Sequence, residues 1–322
     1  MVRLEYTIDL EYELAGPADF VFVIAAATTP AQRVVAERLD VDRPTTTLWS
    51  ADPHNGNRLL RLRTEADSLH VAYAATVDIR HHFGDPQSIP SNAIRDIPAD
   101  VLPYLAASRY CQSDRLVTFA HAEFGALDPG YARAAAIADW VHSHVKFKVG
   151  VSNTATSALD TLVDRQGVCR DFAHLVIAFC RALNIPARFV TGVDYGADPA
   201  LGPCDFHAYA EAWIGDRWYL FDATGISPLT GLVRIGTGRD AADVAFATIY
   251  GAVRTHAPTV SVRAVDDPER GIRPPMATML AVSTAASQPP VPPPSHGRGE
   301  AMLLPFQISG NRAPDKRRQG AT

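Results

Sequence analysis

The stretch GVCRDFAHLVIAFCRAL, at residues 167–183, places two cysteines in one apolar segment. Apolar residues recur there at spacings of three and four, which predicts a helix with a broad buried face. Cys180 lies on that face and is expected to pack in the core as a small hydrophobic residue. Cys169 lies in the first turn, where unpaired backbone N–H groups and the helix dipole favour a thiolate. The pattern therefore predicts different functions for the two cysteines.

A second segment can supply partners for Cys169. The sequence HAYAEAWIGDRWYLFDATG, at residues 207–225, predicts a β-hairpin that turns at its Gly-Asp pair. Cross-strand pairing then puts His207 and Asp222 on the same face, as diagonal neighbours. A nucleophilic cysteine needs a base and a group that orients the base. We therefore predict a thiol acyl-transfer site with Cys169 as nucleophile, His207 as base and then acid, and Asp222 as the orienting group.

The composition indicates a globular protein with a small-molecule or peptide partner. The chain has 322 residues, of which 47% are hydrophobic, so it can form two globular parts. Its formal net charge is -5, and its first 300 residues contain no long run of lysine or arginine. This charge pattern predicts neither a nucleic-acid partner nor a membrane partner.

The predicted location is the cytoplasm, with reduced cysteines. The N-terminal sequence MVRLEYTIDLEYEL lacks the basic and apolar regions of a secretory signal. No cofactor and no metal are predicted, because the histidines at 81–82 and at 142 and 144 lack partners at ligand spacing. Two weaker alternatives involve Cys204. It could join Cys169, His207 and Asp222 in a mixed zinc site, or form a disulfide with Cys169 under oxidation.

The chain divides into four predicted regions. Closely spaced short strands in residues 1–83, beginning with strict alternation at 2–14, predict a small all-β, sandwich-like domain. Residues 84–98 form a linker rich in Pro, Gly and Ser, and residues 99–283 form a second domain. Within that domain, helices are predicted around 99–108, 129–145, 157–167 and 168–183. The Pro-rich, polar residues 284–322 are predicted to be a disordered tail.

These motifs resemble the transglutaminase-like superfamily, and specifically its bacterial cysteine peptidase group with an N-terminal β domain. The resemblance rests on GVCRDFAH, on LNIPARFVTG and on the hairpin sequence, and it extends over about residues 1–265. It implies an α+β fold, with a papain-like or transglutaminase-like core of helices packed on an antiparallel sheet. Ala223 follows Asp222 here, where relatives commonly have proline.

The resemblance implies a thiol-dependent hydrolase of amide or peptide bonds that forms a thioester acyl-enzyme on Cys169. Its partner would be a peptide or protein amide substrate. Two alternatives stay open: an acyl or amine transferase with the same three residues, including an arylamine-type acyltransferase, and a non-catalytic binding module of the same fold. The backbone N–H of Cys169 is expected to stabilise an oxyanion. The loops at 84–98 and 194–205 are expected to shape the substrate cleft.

Overall fold

The first strand shows how directly the N-terminal sequence determines its structure. A computed structural model describes residues 1–43, 45–197 and 204–286, and its first strand is Val2–Leu14. Every second side chain of this strand is buried, and Leu4 and Ile8 are completely inaccessible to solvent. Successive side chains of a strand point to opposite faces, so the period-two pattern is confirmed.

Strands dominate the described residues, and four α-helices lie between them. The strands are β1 Val2–Leu14, β2 Ala18–Phe22, β3 Gln32–Val41, β4 Leu48–Ala51, β5 Arg58–Thr64, β6 Ser68–Ile79, β7 His82–Gly84, β8 Lys146–Phe147, β9 Gln166–Gly167, β10 Ala187–Asp194, β11 Phe206–Ile214, β12 Arg217–Phe221, β13 Leu232–Gly238, β14 Ala247–Tyr250, β15 Val253–Thr255, β16 Thr259–Val265 and β17 Ala281–Ser283. The helices are α1 Ser113–Phe124, α2 Tyr131–His144, α3 Ala158–Asp164 and α4 Cys169–Ala182.

Two antiparallel sheets form the β region. One has the order β15-β1-β6-β3 with β16 also paired to β1, and the other has the order β14-β2-β5-β4. Apolar side chains from both sheets form one core, with the aromatic rings of Tyr6, Phe20 and Phe22 at its centre. Strands β14 to β16 come from residues 247–265, which the sequence assigned to the second domain. They return because β1 and β2 each offer a free edge for backbone pairing.

The second region packs helices on one face of the sheet β12-β11-β10-β13. Helix α4 lies on β11 and β10, where Ala208, Ala210 and Ala212 are buried against it. These small side chains allow close approach of the helix to the sheet, and α1, α2 and α3 cover the rest of α4. Cys180 is fully buried in this core, as its position predicts. The α+β fold class is confirmed.

Two buried amides join the β region to strand β13. The side chain of Gln32 donates to the carbonyl of Arg234 at 2.7 Å and accepts from its N–H at 2.9 Å. The side chain of Asn57 makes the same pair of contacts with the backbone of Thr237, each at 2.8 Å. These bonds satisfy backbone groups that would otherwise be unpaired at a buried sheet edge. These hydrogen bonds therefore hold the sheet β12-β11-β10-β13 on the β region.

Three features differ from the sequence expectations. Residues 99–108 contain a short 3-10 helix, Leu102–Leu105, because Pro103 would remove a hydrogen bond from a longer α-helix. Helix α1 was not predicted. Within residues 84–98, Asn92 contacts the turn end of the hairpin, where it donates to the carbonyl of Gly215 at 2.6 Å, whereas His207 and Asp222 lie at the opposite end.

The predicted tail begins later than residue 284. Strand β17 pairs with β7, and the hydroxyl of Thr284 accepts a hydrogen bond from the buried Arg234 at 2.9 Å. Residues 287–322, on which most of the tail prediction falls, lie outside the described residues. Among the residues that are described, no helix has both the length and the apolar character needed to cross a membrane.

Candidate active site

Cys169 is the first residue of helix α4, and the residues around it explain why the helix begins there. The carboxylate of Asp171 accepts a hydrogen bond from the N–H of Val168 at 2.9 Å, which caps the helix start. A Cβ on Gly167 would lie 2.7 Å from the Cβ of Asp171, so only glycine fits before the turn. The half-buried Cys169 thiol is thereby fixed at the positive end of the helix dipole.

A second set of contacts anchors this turn to the preceding loop. Arg170 forms an ion pair with the fully buried Asp171 at 3.0 Å and donates to the carbonyl of Asn153 at 2.8 Å. The short parallel pair β8–β9 extends the anchor, because the N–H of Lys148 donates to the carbonyl of Gly167 at 2.9 Å. The loop before α3 and the start of α4 therefore form one rigid support.

The hairpin brings His207 and Asp222 together as predicted. Strands β11 and β12 pair Ile214 with Arg217, which is the register expected for a two-residue turn. His207 Nε2 lies 2.8 Å from Asp222 Oδ2, and both side chains are almost completely buried. The other carboxylate oxygen of Asp222 accepts from the N–H and the hydroxyl of Thr224, at 2.9 and 2.7 Å. The carboxylate is thus held in one orientation.

The charges of this pair depend on each other. Burial lowers the pKa of His207, but the negative charge and hydrogen bond of Asp222 outweigh burial and raise it well above its ordinary value. Burial raises the pKa of Asp222, and the charge of His207 with the bonds from His207 and Thr224 reverses this and lowers it. We conclude that the pair favours an imidazolium beside a carboxylate.

The Cys169 thiol adjoins the same imidazole. After the larger effects of burial and Asp222, the hydrogen bond and charge of the Cys169 thiol also raise the pKa of His207. Because Nε2 of the ring is bonded to Asp222, the other nitrogen, Nδ1, is the one available to the sulfur. The sulfur also lies 3.9 Å from the carbonyl oxygen of Phe206, the residue before His207. The structure therefore brings all three predicted side chains together.

The remaining cysteines are unlike Cys169. Burial raises the pKa of Cys180 and of Cys111 to about 12, so both stay protonated and inert at neutral pH. Cys204 is half-buried near the site, and burial with the charge of Asp194 raises its pKa to about 11. No disulfide joins any of the four cysteines.

The zinc alternative finds no support in the geometry. Within residues 1–43, 45–197 and 204–286, no group of three or more His, Cys, Asp or Glu side chains is arranged to hold a metal ion. Two of the histidines considered as metal ligands make other contacts. Nδ1 of His142 contacts the carbonyl of Ala223 at 3.0 Å. His144 stacks on Trp140 with ring centroids 4.1 Å apart.

Sequence reasoning missed the residues that hold the site in place. Asp171 has a detectable signal, since an acidic residue three positions after the start of a helix is a common capping pattern. Thr224 lies two residues after Asp222 and holds its carboxylate through its N–H and hydroxyl, which the hairpin pattern does not predict. Asn153 acts through its backbone carbonyl, which leaves no signal in its side chain.

Comparisons with known proteins identify the family of this chain. The family model described as "Transglutaminase-like superfamily" matches residues 119–223, and that described as "Bacterial transglutaminase, N-terminal domain" matches residues 2–100. A crystal structure from Cytophaga hutchinsonii, described as a "Putative Cysteine Protease", is 38% identical with a TM-score of 0.81. The match covers 88% of this chain and 97% of that one. The chain belongs to the transglutaminase-like superfamily.

Two curated bacterial proteins that match part of this chain are described as uncharacterized. A Mycobacterium leprae protein is 36% identical over 115 residues, which are 34% of this chain and 41% of that protein. A Mycobacterium bovis protein is 30% identical over 119 residues, which are 34% of this chain and 38% of that protein. The match therefore spans about two fifths of the length of these relatives.

Proposed function

We propose that this protein is a thiol-dependent hydrolase of amide or peptide bonds, in which Cys169, His207 and Asp222 form a catalytic triad. The observation that carries the proposal is the 2.8 Å contact between His207 Nε2 and Asp222 Oδ2, made by an imidazole that also interacts with the thiol. The resemblance in fold to a protein described as a cysteine protease supports a peptide or protein substrate.

The first half of the reaction forms a thioester. His207 takes the proton of the Cys169 thiol, and the thiolate attacks the carbonyl carbon of the amide. The imidazolium then donates a proton to the nitrogen as the C–N bond breaks and the amine leaves. Asp222 keeps the imidazole in place and stabilises its positive charge throughout, while Thr224 keeps Asp222 in place.

The second half restores the enzyme. His207 takes a proton from water, the hydroxide attacks the thioester carbonyl, and the C–S bond breaks to release the acid. Each attack produces an oxyanion. The backbone N–H of Cys169 is suited to stabilise it, because the first N–H groups of a helix have no acceptor within the helix.

An amine in place of water could accept the acyl group of the same thioester, which would make the protein a transferase. The two outcomes differ in their products. Incubation of a glutamine-containing peptide with and without a primary amine, followed by mass spectrometry, separates an added mass of the amine from simple hydrolysis. We propose hydrolysis as the main reaction, and transfer as the outcome that would replace it.

Alkylation with iodoacetamide tests the triad directly. At neutral pH we expect Cys169 to react at least about tenfold faster than the buried Cys180, which serves as a control within the same chain, because a thiolate paired with an imidazolium reacts faster than a thiol. His207→Ala should remove most of this advantage. Equal rates at Cys169 and Cys180 in the wild type would reject the proposal, and peptide mapping by mass spectrometry measures both.

The alternative of a binding module requires a separate test. The Cys169→Ala variant should retain a substrate that wild type converts and releases. If both proteins retain the same peptide unchanged, the binding module replaces the enzyme as the explanation.

We propose the cytoplasm as the location. The four cysteines are free, although the described chain contains many packed strands that a disulfide could join. Cell fractionation with an antibody to the protein tests this, and recovery outside the cytoplasmic fraction would reject it.

A further inference from the structure

Asp194 and Asp205 lie at the His207 end of the β10–β11 strand pair, and the mechanism does not use their carboxylates. Strands β10 and β11 pair through Val193 opposite Phe206, so the next residues along this register are Asp194 and Asp205. Like charges directly opposite each other on neighbouring strands are unfavourable. This placement is therefore unexpected for residues that only support the fold.

Asp194 is deeply buried, and one of its carboxylate oxygens has no partner. Only 6% of the residue is exposed, and its Oδ2 oxygen has no hydrogen-bond partner in the described structure. A buried, unpartnered carboxylate oxygen costs free energy that folding does not recover. This oxygen is therefore available to a cationic donor.

Asp205 is an exposed residue just before the start of β11, although its carboxylate is partly shielded from solvent. Its Oδ1 accepts from the N–H of Phe206 at 2.7 Å. Burial, followed by the charge of Asp194, raises the pKa of Asp205 against the effect of that one bond. Among the described residues, the charges that act on Asp205 include Asp194 but no cation. The intervening sequence YGADPALGP, at 195–203, contains no lysine or arginine either.

The position of the pair relative to the nucleophile follows from shared neighbours. The Cys204 sulfur lies 3.9 Å from the carbonyl oxygen of Asp194, and its pKa responds to burial, then to Asp194 and Asp205, and then to His207. Phe206, between Asp205 and His207 in sequence, is the residue whose carbonyl oxygen contacts Cys169. The carboxylates therefore stand at one side of the reacting sulfur.

We propose that Asp194 and Asp205 form a subsite for a cationic group of the substrate, an ammonium or guanidinium next to the amide carbonyl that Cys169 attacks. This inference rests on the proposed function for the identity of the reacting bond. An ammonium or guanidinium would donate to the unpartnered Oδ2 of Asp194 and neutralise two facing negative charges at once. A basic side chain or an amine-bearing carboxamide is the substrate class that fits.

Charged thiol reagents test the subsite without knowledge of the substrate. Methanethiosulfonates carrying a trimethylammonium group, a sulfonate or no charge each form a disulfide with Cys169 and release methanesulfinate. Rates at Cys169, followed by peptide mapping, are divided by the rates of the same reagents with 2-mercaptoethanol. The normalised ratio of cationic to anionic reagent then measures the potential at the sulfur, and the uncharged reagent measures thiolate content.

We expect a normalised ratio of about ten in the wild type at low ionic strength, which corresponds to about 1.4 kcal/mol. Asp194→Asn and Asp205→Asn should each lower it about threefold, while the rate of the uncharged reagent stays the same. Asp67→Asn, which removes the same charge from a 94% exposed side chain, is the matched control and should leave the ratio unchanged.

A ratio at or below one in the wild type, or a ratio that neither substitution changes, would overturn the subsite. If Asp194→Asn fails to fold, Asp205→Asn alone decides, because that side chain is at the edge of the strand pair. A sluggish reaction of Cys169 with all three reagents would instead count against the proposed hydrolase. The two failures are therefore distinguishable.

Discussion

Strand β11 carries two buried charged groups on the same face, four residues apart, and they differ in how completely they are paired. Glu211 accepts from Arg188 at 2.7 Å and from Arg234 through both of its oxygens. Burial raises the pKa of Glu211, but the two arginines outweigh it and lower the pKa to about 2. His207 has one carboxylate partner and one ring nitrogen that adjoins a thiol.

The difference separates a structural cluster from the proposed catalytic one. Every oxygen of Glu211 is used, and Arg234 also binds Thr237 and Thr284, so the cluster ties three parts of the chain together. The pair of His207 with Asp222 leaves capacity for a proton to move. A buried carboxylate with both oxygens paired to arginines stabilises one structure, whereas a histidine with a ring nitrogen beside a thiol has a position at which chemistry can occur.

The substitution with the largest expected effect removes the proposed nucleophile. Cys169→Ala should lower the rate of amide hydrolysis by on the order of 10⁶-fold, as loss of a nucleophile does in a triad. The free energy of unfolding should change by less than about 0.5 kcal/mol, because the side chain is half-buried and outside the core. Steady-state kinetics and urea denaturation measure the two quantities, and retained activity would reject Cys169 as nucleophile.

Asp222→Asn should have the next largest effect. The variant keeps the shape of the side chain but removes the charge that stabilises the imidazolium, so kcat should fall by on the order of 10⁴-fold. The pH at which half of the activity appears should move down, because Asp222 is the main group that raises the pKa of His207. A pH–rate profile that keeps its wild-type position would contradict this role.

Glu211→Gln tests the structural cluster, and we expect it to change the stability of the fold but not the reactivity of Cys169. Removal of its charge leaves two buried arginines without a carboxylate, which should lower the free energy of unfolding by about 3–5 kcal/mol. The reactivity of Cys169 toward iodoacetamide in the folded fraction should stay within about twofold of wild type. Thermal denaturation and alkylation rates measure these effects. Loss of thiol reactivity with unchanged stability would reverse the comparison.

The smallest effect is the pH dependence of stability. The raised pKa of His207 gives stability that is complete below its ordinary value of 6.5 and is lost as the pH rises through the raised pKa. The lowered pKa of Asp222 gives stability that is complete above 3.8 and is lost as the pH falls through the lowered pKa. The difference in unfolding free energy between wild type and Asp222→Asn should therefore peak between these values and decline in alkali by on the order of 1 kcal/mol.

Local patterns in the sequence predicted which hairpin side chains meet. Alternation fixed the face of the hairpin, and the two-residue turn fixed its register, so His207 and Asp222 could be paired from spacing alone. The apolar periodicity of α4 separated Cys180 from Cys169 in the same way. The resemblance to a family then supplied the core fold, which periodicity does not specify.

Contacts between distant parts of the chain could not be predicted. Gln32 bonds to Arg234 across about 200 residues, and nothing near either residue indicates the partner. Strands β14 to β16 are short and half-exposed, so their patterns are weak, and their pairing with β1 and β2 depends on which edges the fold leaves open. Asp194 and Asp205 likewise become neighbours only through the register of β10 and β11.

The return of β16 to β1 has a consequence for biosynthesis. About 180 residues separate the end of β6 at Ile79 from the start of β16 at Thr259. At elongation rates of about 5–20 residues per second, roughly 10 to 40 s pass between the synthesis of β6 and that of β16. During this time one edge of β1 is unpaired, while the helices and the sheet that carry Cys169 and His207 are synthesised. The core of the catalytic region must therefore assemble on a growing chain whose first sheet is still incomplete, and ribosome-bound chains stalled before residue 259 should show that exposed edge.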